Sequence, residues 1–271
     1  LMLSPLDDYP IHQVAQRIRQ VATSDRNFYD RAYLNAHDRS GTIFLITGIG
    51  YYPNLGVKDA FVLIRRRNPD GTDTQTAVHL SDAIDDDRLR QNVNGYRLDV
   101  LEPLQELHLT LAETEGISAD LTWRGLFPAA LEKPHDMLPE RRVTLQACRF
   151  AQVGSWQGWI DVDGERLTVE HDTSVASRDR SWGIRPVGEP EPAGRPDTAF
   201  RGMWWLYLPL AFDDFQLFLI LQEDPDARPL RQLCLAVARL VEAGHDLEDG
   251  RLAGPVGPDH PDLGSGEEGH R

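Results

Sequence analysis

Between residues 177 and 186 the chain reads Ser-Arg-Asp-Arg-Ser-Trp-Gly-Ile-Arg-Pro, its densest run of groups able to do chemistry. Asp179 between Arg178 and Arg180 is a ready charge-assisted set, and Trp182 adds a flat apolar wall. On an extended strand Arg178 and Arg180 face one way, and Asp179 and Ser181 the other. Should Asp179 and Trp182 line a dry cavity, loss of water raises the acid's pKa and permits general-acid work. Should an arginine reach Asp179 instead, the carboxylate stays ionised and serves the structure. The residues leave both readings open: a catalytic floor, or an Arg-Asp-Trp knot that closes a sheet.

Other groups compete with this stretch. His171-Asp172 and His37-Asp38 each set an imidazole beside a carboxylate. Adjacent strand residues point to opposite faces, so both read as surface histidines. No third ligand stands at a sensible spacing, and no metal site is expected. The glycines of 48–56 lack a following helix start, so they read as turn residues with Tyr51 and Tyr52 at a pocket rim rather than as a phosphate loop. Trp156, Trp159, Trp204, Trp205 and Tyr207 either line an apolar cavity or fill a core. Without a Gly-x-Ser-x-Gly pattern, Ser177 and Ser181 are not hydrolase nucleophiles.

The elements that must position these groups are strands. Leu107, Leu109 and Leu111 alternate with polar residues, as do Tyr96, Leu98 and Val100, and Leu121 and Trp123. Such period-2 patterning marks an antiparallel sheet with one face to a core. Thr42–Gly48, 60–66, 72–80, 143–150 and 155–162 add further strands. Asn68-Pro69-Asp70-Gly71 and Asp163-Gly164 supply the turns. Eight or nine short strands imply a mostly β fold, an antiparallel barrel or sandwich over residues 1–185. A Pro- and Gly-rich linker is expected over 186–198. Residues 199–243 read as part of a second β unit, with strands at 199–209 and 215–223 and an amphipathic helix at the end; 244–271 reads as a disordered tail. Helical spacing of Ile11, Val14, Ala15, Ile18, Val21 and Ala22 predicts a helix across 11–22.

Composition narrows the function classes. A formal net charge of −15 opposes binding to a phosphate backbone, so no nucleic-acid partner is expected. No run approaches a membrane span, and Leu1–Pro10 lacks the order of a signal segment. Two cysteines, Cys148 and Cys234, form no redox or metal motif, and a cytoplasmic location is expected.

With these residues in view, the sequence resembles the AttH-like, hydroxyneurosporene synthase (carotenoid 1,2-hydratase) superfamily, most of all an actinobacterial branch of it. The resemblance rests on Phe44–Asn54 with Gly56-Val57-Lys58-Asp59, Asp120–Arg124, Gln157-Gly158-Trp159, Ser177–Pro186 and Trp205–Glu223, and it covers about residues 5–228. It implies two consecutive lipocalin-like domains around a hydrophobic cleft. It also implies cofactor-free hydration, isomerisation or cyclisation of an isoprenoid-like unsaturated substrate. On that basis Asp179 is the expected proton donor, Arg178 or Arg180 sets its charge state, and Trp182 faces a developing carbocation. Tyr51, Tyr52, Trp123, Trp159, Trp205 and Tyr207 are the expected ligand contacts. A non-catalytic binder of a lipid or hydrophobic metabolite, or a truncated inactive remnant, are the alternatives. Two departures stand out. Relatives with hydratase activity place Asp-His where this chain has Asp179-Arg180, and an arginine does not shuttle protons near neutral pH. The family's strand pattern also stops after Arg228, which suggests a C-terminus cut short or altered in frame. In that case an exposed edge at 215–223 would favour a homodimer.

Overall fold

The computed structural model describes residues 3–137, 143, 145–186 and 202–238. They form two antiparallel sheets and almost no helix. The first sheet contains β1 (Phe28–Asp38), β2 (Ile43–Tyr52), β3 (Val57–Arg67), β4 (Asp73–Ala83), β5 (Asn92–Val93), β6 (Tyr96–Glu102), β7 (Glu106–Thr114) and β8 (Ile117–Gly125). It is completed by β9 (Ala130–Leu131), β10 (His135–Met137), β11 (Leu145–Val162), β12 (Glu165–Val169) and β13 (Ser174–Ile184). The second holds β14 (Trp204–Ala211), β15 (Phe215–Glu223) and β16 (Pro229–Ala238).

The large sheet runs β4-β3-β2-β1-β13-β11-β8-β7-β6-β5 and curls until its ends nearly meet. At the seam Asn94, in the turn after β5, donates its side-chain N–H to the Ser81 carbonyl on β4. Alternation decides what fills the curl. Leu107, Leu109 and Leu111, Leu121 and Trp123, and Leu34 and Ala36 turn inward and are buried. Trp123 and Trp156 meet edge-on at 5.5 Å between ring centres, both fully enclosed. Burying each such side chain contributes on the order of 2–3 kcal/mol. The lumen is therefore a packed core.

Three sequence expectations are corrected. The two strands expected over 143–150 and 155–162 are not separate: residues 145–162 form one 18-residue strand, β11, whose first half pairs with β13 and second half with β8 and β12. Residues 11–22 form no helix. Ile11 and Val14 are exposed with nothing to bury against, and the Ile18 N–H is taken by the Asp7 carboxylate at 2.7 Å. An amphipathic helix gains most of its stability from burying its face, and this one has no surface to meet. The third concerns Leu230–Val241, where the spacing suggested a helix. Pro229–Ala238 is instead a strand along β15, because the apolar run Leu233–Ala238 also satisfies a two-residue period and the β15 edge supplies the hydrogen bonds. Strand structure thus continues past Arg228, and β15 (215–223) is no exposed edge, since β14 and β16 flank it. The linker expected after Pro186 and the tail expected beyond residue 243 lie outside the described residues.

The small sheet packs on the outer surface of the large one. Phe218 joins Phe127, Ala130, Ala151 and Val153 in a second buried cluster, with Tyr207, Leu235 and Val237 against it. Gln216, fully buried, locks the contact: its Oε1 accepts the Val153 N–H at 2.9 Å and its amide donates to the Pro128 carbonyl.

Candidate functional site

Register places the side chains of residues 177–184. Arg178 pairs with Leu34 and Arg180 with Ala32, residues of the barrel core, so both arginines and Trp182 share the inner face. Asp179 pairs with Tyr33 on β1 and Ala151 on β11, and Ala151 belongs to the contact between the sheets. Asp179 is therefore separated from Arg178, Arg180 and Trp182 by the thickness of the sheet. Arg178 is buried and gives two N–H groups to Gln152 Oε1, at 2.8 and 2.6 Å, beside the rings of Trp123 and Phe150. Burial first, then Arg180, holds its pKa down to about 10. Arg180 binds Asp30 and Gln91, each at 3.0 Å.

On the outer face Asp179 is half-buried, and among the described residues nothing donates a hydrogen bond to its carboxylate. Burial pushes its pKa up from 3.8 to about 6, against the opposing pull of Arg149 and then with the help of Glu132. Arg149 is not free to neutralise it. Its guanidinium makes a two-pronged bond to Glu132, at 2.8 and 2.9 Å, and Glu132 is buried just past β9. Arg231 on β16 approaches the same carboxylate at 3.6 Å and donates to the Lys133 carbonyl, so this ion cluster also pins the small sheet. Although burial works against the Arg149 charge, the Glu132 bond outweighs it and raises the arginine's pKa. The guanidinium lies over Tyr207 at 5.0 Å and Trp205 at 6.0 Å from the ring centres. Burial, against the opposing pull of Arg149, pushes the Tyr207 hydroxyl's pKa far up, so it stays a neutral donor.

The same outer face continues across β1, β2 and β3. Gly48 has no side chain because the Phe61 ring leans over it; an added Cβ would lie 2.9 Å from that ring and 2.6 Å from the Ala32 carbonyl. Arg31 stacks on Phe61 at 5.2 Å. Gly50 similarly makes room for Asp59, whose Oδ2 accepts the Tyr52 hydroxyl at 3.3 Å.

The structure thus brings Asp179 together with Tyr207 and Trp205, and Tyr52 lies further along the same face. Trp123 is in the barrel core, and Tyr51 faces inward, donating to the Arg90 carbonyl at 3.3 Å. Trp159 sits elsewhere on the outer surface under Arg166, at 3.9 Å. His171 bonds Ser155 Oγ at 2.8 Å, and His37 is exposed. Sequence reasoning missed Tyr33, Arg149 and Glu132. The signal for Arg149 was available: it is the one charge in the alternating set Ala147, Arg149, Ala151, Val153, and a charge on an otherwise small apolar face needs a buried partner. Among the described residues no group of three metal-ligating side chains forms, and no helix is long and apolar enough to cross a membrane.

Comparison with known proteins adds the following. A family model described as a family of unknown function (DUF8625) matches residues 3–252. No curated protein matches the chain. Among solved structures, a protein of Nitrosomonas europaea provisionally assigned as an AttH is 12% identical, covering 79% of this chain and 66% of its own, with a TM-score of 0.51. Kievitone hydratase from Nectria haematococca is 11% identical over 77% of this chain and 60% of its own, at 0.47. CghA with Sch210972 is 12% identical over 79% and 58%, also at 0.47. The chain spans 66% or less of the length of these structures. At such identity the likeness is one of fold, and the AttH-like architecture expected from the sequence is the one observed.

Proposed function

Starting from a chain that belongs to the family DUF8625 and carries an AttH-like β fold, we propose that the outer face around Asp179, where the two sheets meet, forms a cleft that acts as a cofactor-free acid/base site for an apolar, unsaturated small molecule. Asp179 is the proton donor. The observation that carries this reading is a half-buried carboxylate, free of hydrogen-bond donors among the described residues, beside an arginine already engaged by Glu132. Such an acid holds its proton to higher pH than an exposed aspartate and can pass it to a carbon–carbon double bond. The cation that develops on the neighbouring carbon meets the ring faces of Tyr33, Tyr207 and Trp205, the role the sequence had suggested for Trp182. Water then adds to that carbon and returns a proton to the Asp179 carboxylate, completing a hydration. Direct loss of a proton from the cation to the same carboxylate completes an isomerisation. Arg149 takes the place expected of Arg178 and Arg180, setting the charge state of Asp179 from the correct face.

Proton transfer is read most simply by isotope. Isoprenoid polyenes incubated with the protein in D2O should gain deuterium, seen by mass spectrometry, and Asp179→Asn should abolish the gain while still binding the polyene. Equal incorporation by both proteins would remove Asp179 from the mechanism. Binding without incorporation by either would leave a carrier of hydrophobic metabolites, the alternative reading of the same cleft.

A further inference from the structure

Two cations on the Asp179 face have no anion among the described residues. Arg31 lies on β1, two residues before Tyr33, with its guanidinium over the Phe61 ring at 5.2 Å from the ring centre. Its Nε is buried without a hydrogen-bond partner, and no described carboxylate reaches it. Arg185, just past the end of β13, stacks on Tyr29 at 4.2 Å and likewise has no ion pair among the described residues. Two-residue alternation puts 179, 181, 183 and 185 on one face, and the pairing of Arg31 with Ser181 puts Arg31 there too. Both guanidiniums lie near enough to act on Asp179 and on the Tyr52 hydroxyl.

This is unusual in a chain with 43 acidic residues against 28 basic ones. Elsewhere the described cations find carboxylates readily: Arg65 and Arg67 share Asp73, Lys58 takes Asp85, Arg66 takes Glu165 and Arg180 takes Asp30. Arg31 and Arg185 are instead held by aromatic rings, which fix a guanidinium's plane and leave its N–H edge open. An open, oriented N–H fork matches a carboxylate, which accepts two parallel bonds. Asp59, the nearest acid on β3, is turned to Tyr52 in the hollow above Gly50.

We infer that Arg31 and Arg185 form a carboxylate-binding subsite beside Asp179, so that the cleft selects an unsaturated apolar chain bearing an acid group over its neutral counterpart. This rests on the cleft reading above but commits to the charge of the ligand. The neighbouring Asp179 tolerates an anion there only while it keeps its proton, so binding and the acid form of Asp179 favour each other.

cis-Parinaric acid, a fluorescent polyene carboxylate, and its methyl ester separate the two ideas. The acid should bind at least tenfold tighter than the ester at pH 6. Arg31→Gln and Arg185→Gln should each weaken the acid tenfold or more and leave the ester unchanged, while Arg97→Gln on the exposed face of β6 alters neither. Equal binding of acid and ester by the unaltered protein would overturn the subsite and leave the apolar cleft standing. Binding of neither would overturn both. If Arg31→Gln loses its cooperative thermal transition, Arg185→Gln and the acid–ester comparison still decide.

Discussion

Removing the Asp179 charge should make this protein more stable, and only above a particular pH. The carboxyl's pKa rises from 3.8 to about 6 on folding because burial takes it out of water faster than Arg149 can compensate. A group held in this way binds more protons in the folded than in the unfolded chain between those two values. Stability attributable to it is therefore complete below about pH 4 and falls as pH rises through about 6. At about 1.4 kcal/mol per tenfold change in proton affinity, the rise corresponds to at most about 3 kcal/mol; solvent reaching the half-buried group lowers this to about 1–2 kcal/mol. Asp179→Asn preserves shape and removes the titration. Paired thermal melts of the two proteins should coincide near pH 4 and diverge by pH 8, with the Asn protein higher by about 2–8 °C, at about 2–4 °C per kcal/mol for a chain of this size. Taking the difference between the two cancels every other titrating group. An Asn protein that melts lower at pH 8 would refute the reasoning, because Asp179 would then be the structural counter-ion of Arg149.

Two further outcomes follow from the same contacts. Glu132→Gln should cost about 3–5 kcal/mol in denaturant unfolding, since it strands the Arg149 charge, and should also pull the Asp179 pKa down toward 4 as Arg149 turns to it. Trp123→Ala should cost about 3–5 kcal/mol from the barrel core, whereas Trp205→Ala, at 49% exposure, should cost under about 1 kcal/mol and act on ligand binding instead.

How much of this was legible in the sequence differs by distance along the chain. Alternation of Leu107, Leu109 and Leu111 announced both the strand and its buried face, and the same rule correctly set Asp179 opposite Arg178 and Arg180. Turn chemistry at Asp163-Gly164 was equally local; both residues have the positive φ that a tight hairpin needs. Local pattern failed where an element's state depends on a neighbour. Ile11–Ala22 had helical spacing but no surface to cover, and Leu233–Ala238 fits either period until β15 offers its edge. The site lay furthest from reach. Asp179, Arg149, Glu132 and Tyr207 come from β13, β11, the residue after β9, and β14, and only the docking of the small sheet assembles them. Arg31 could not be distinguished from any other strand arginine until Gly48 let Phe61 lean beneath it.

The chemistry at this site depends on Asp179 holding its proton unusually tightly in the folded protein. Carbon-13 NMR of the labelled side-chain carboxyl, followed from pH 3 to 8 and assigned with Asp179→Asn, reads this directly. A midpoint near 6 is the predicted result. A midpoint at or below 4 would contradict the account, because the carboxylate would then be ionised at working pH and unable to act as the acid.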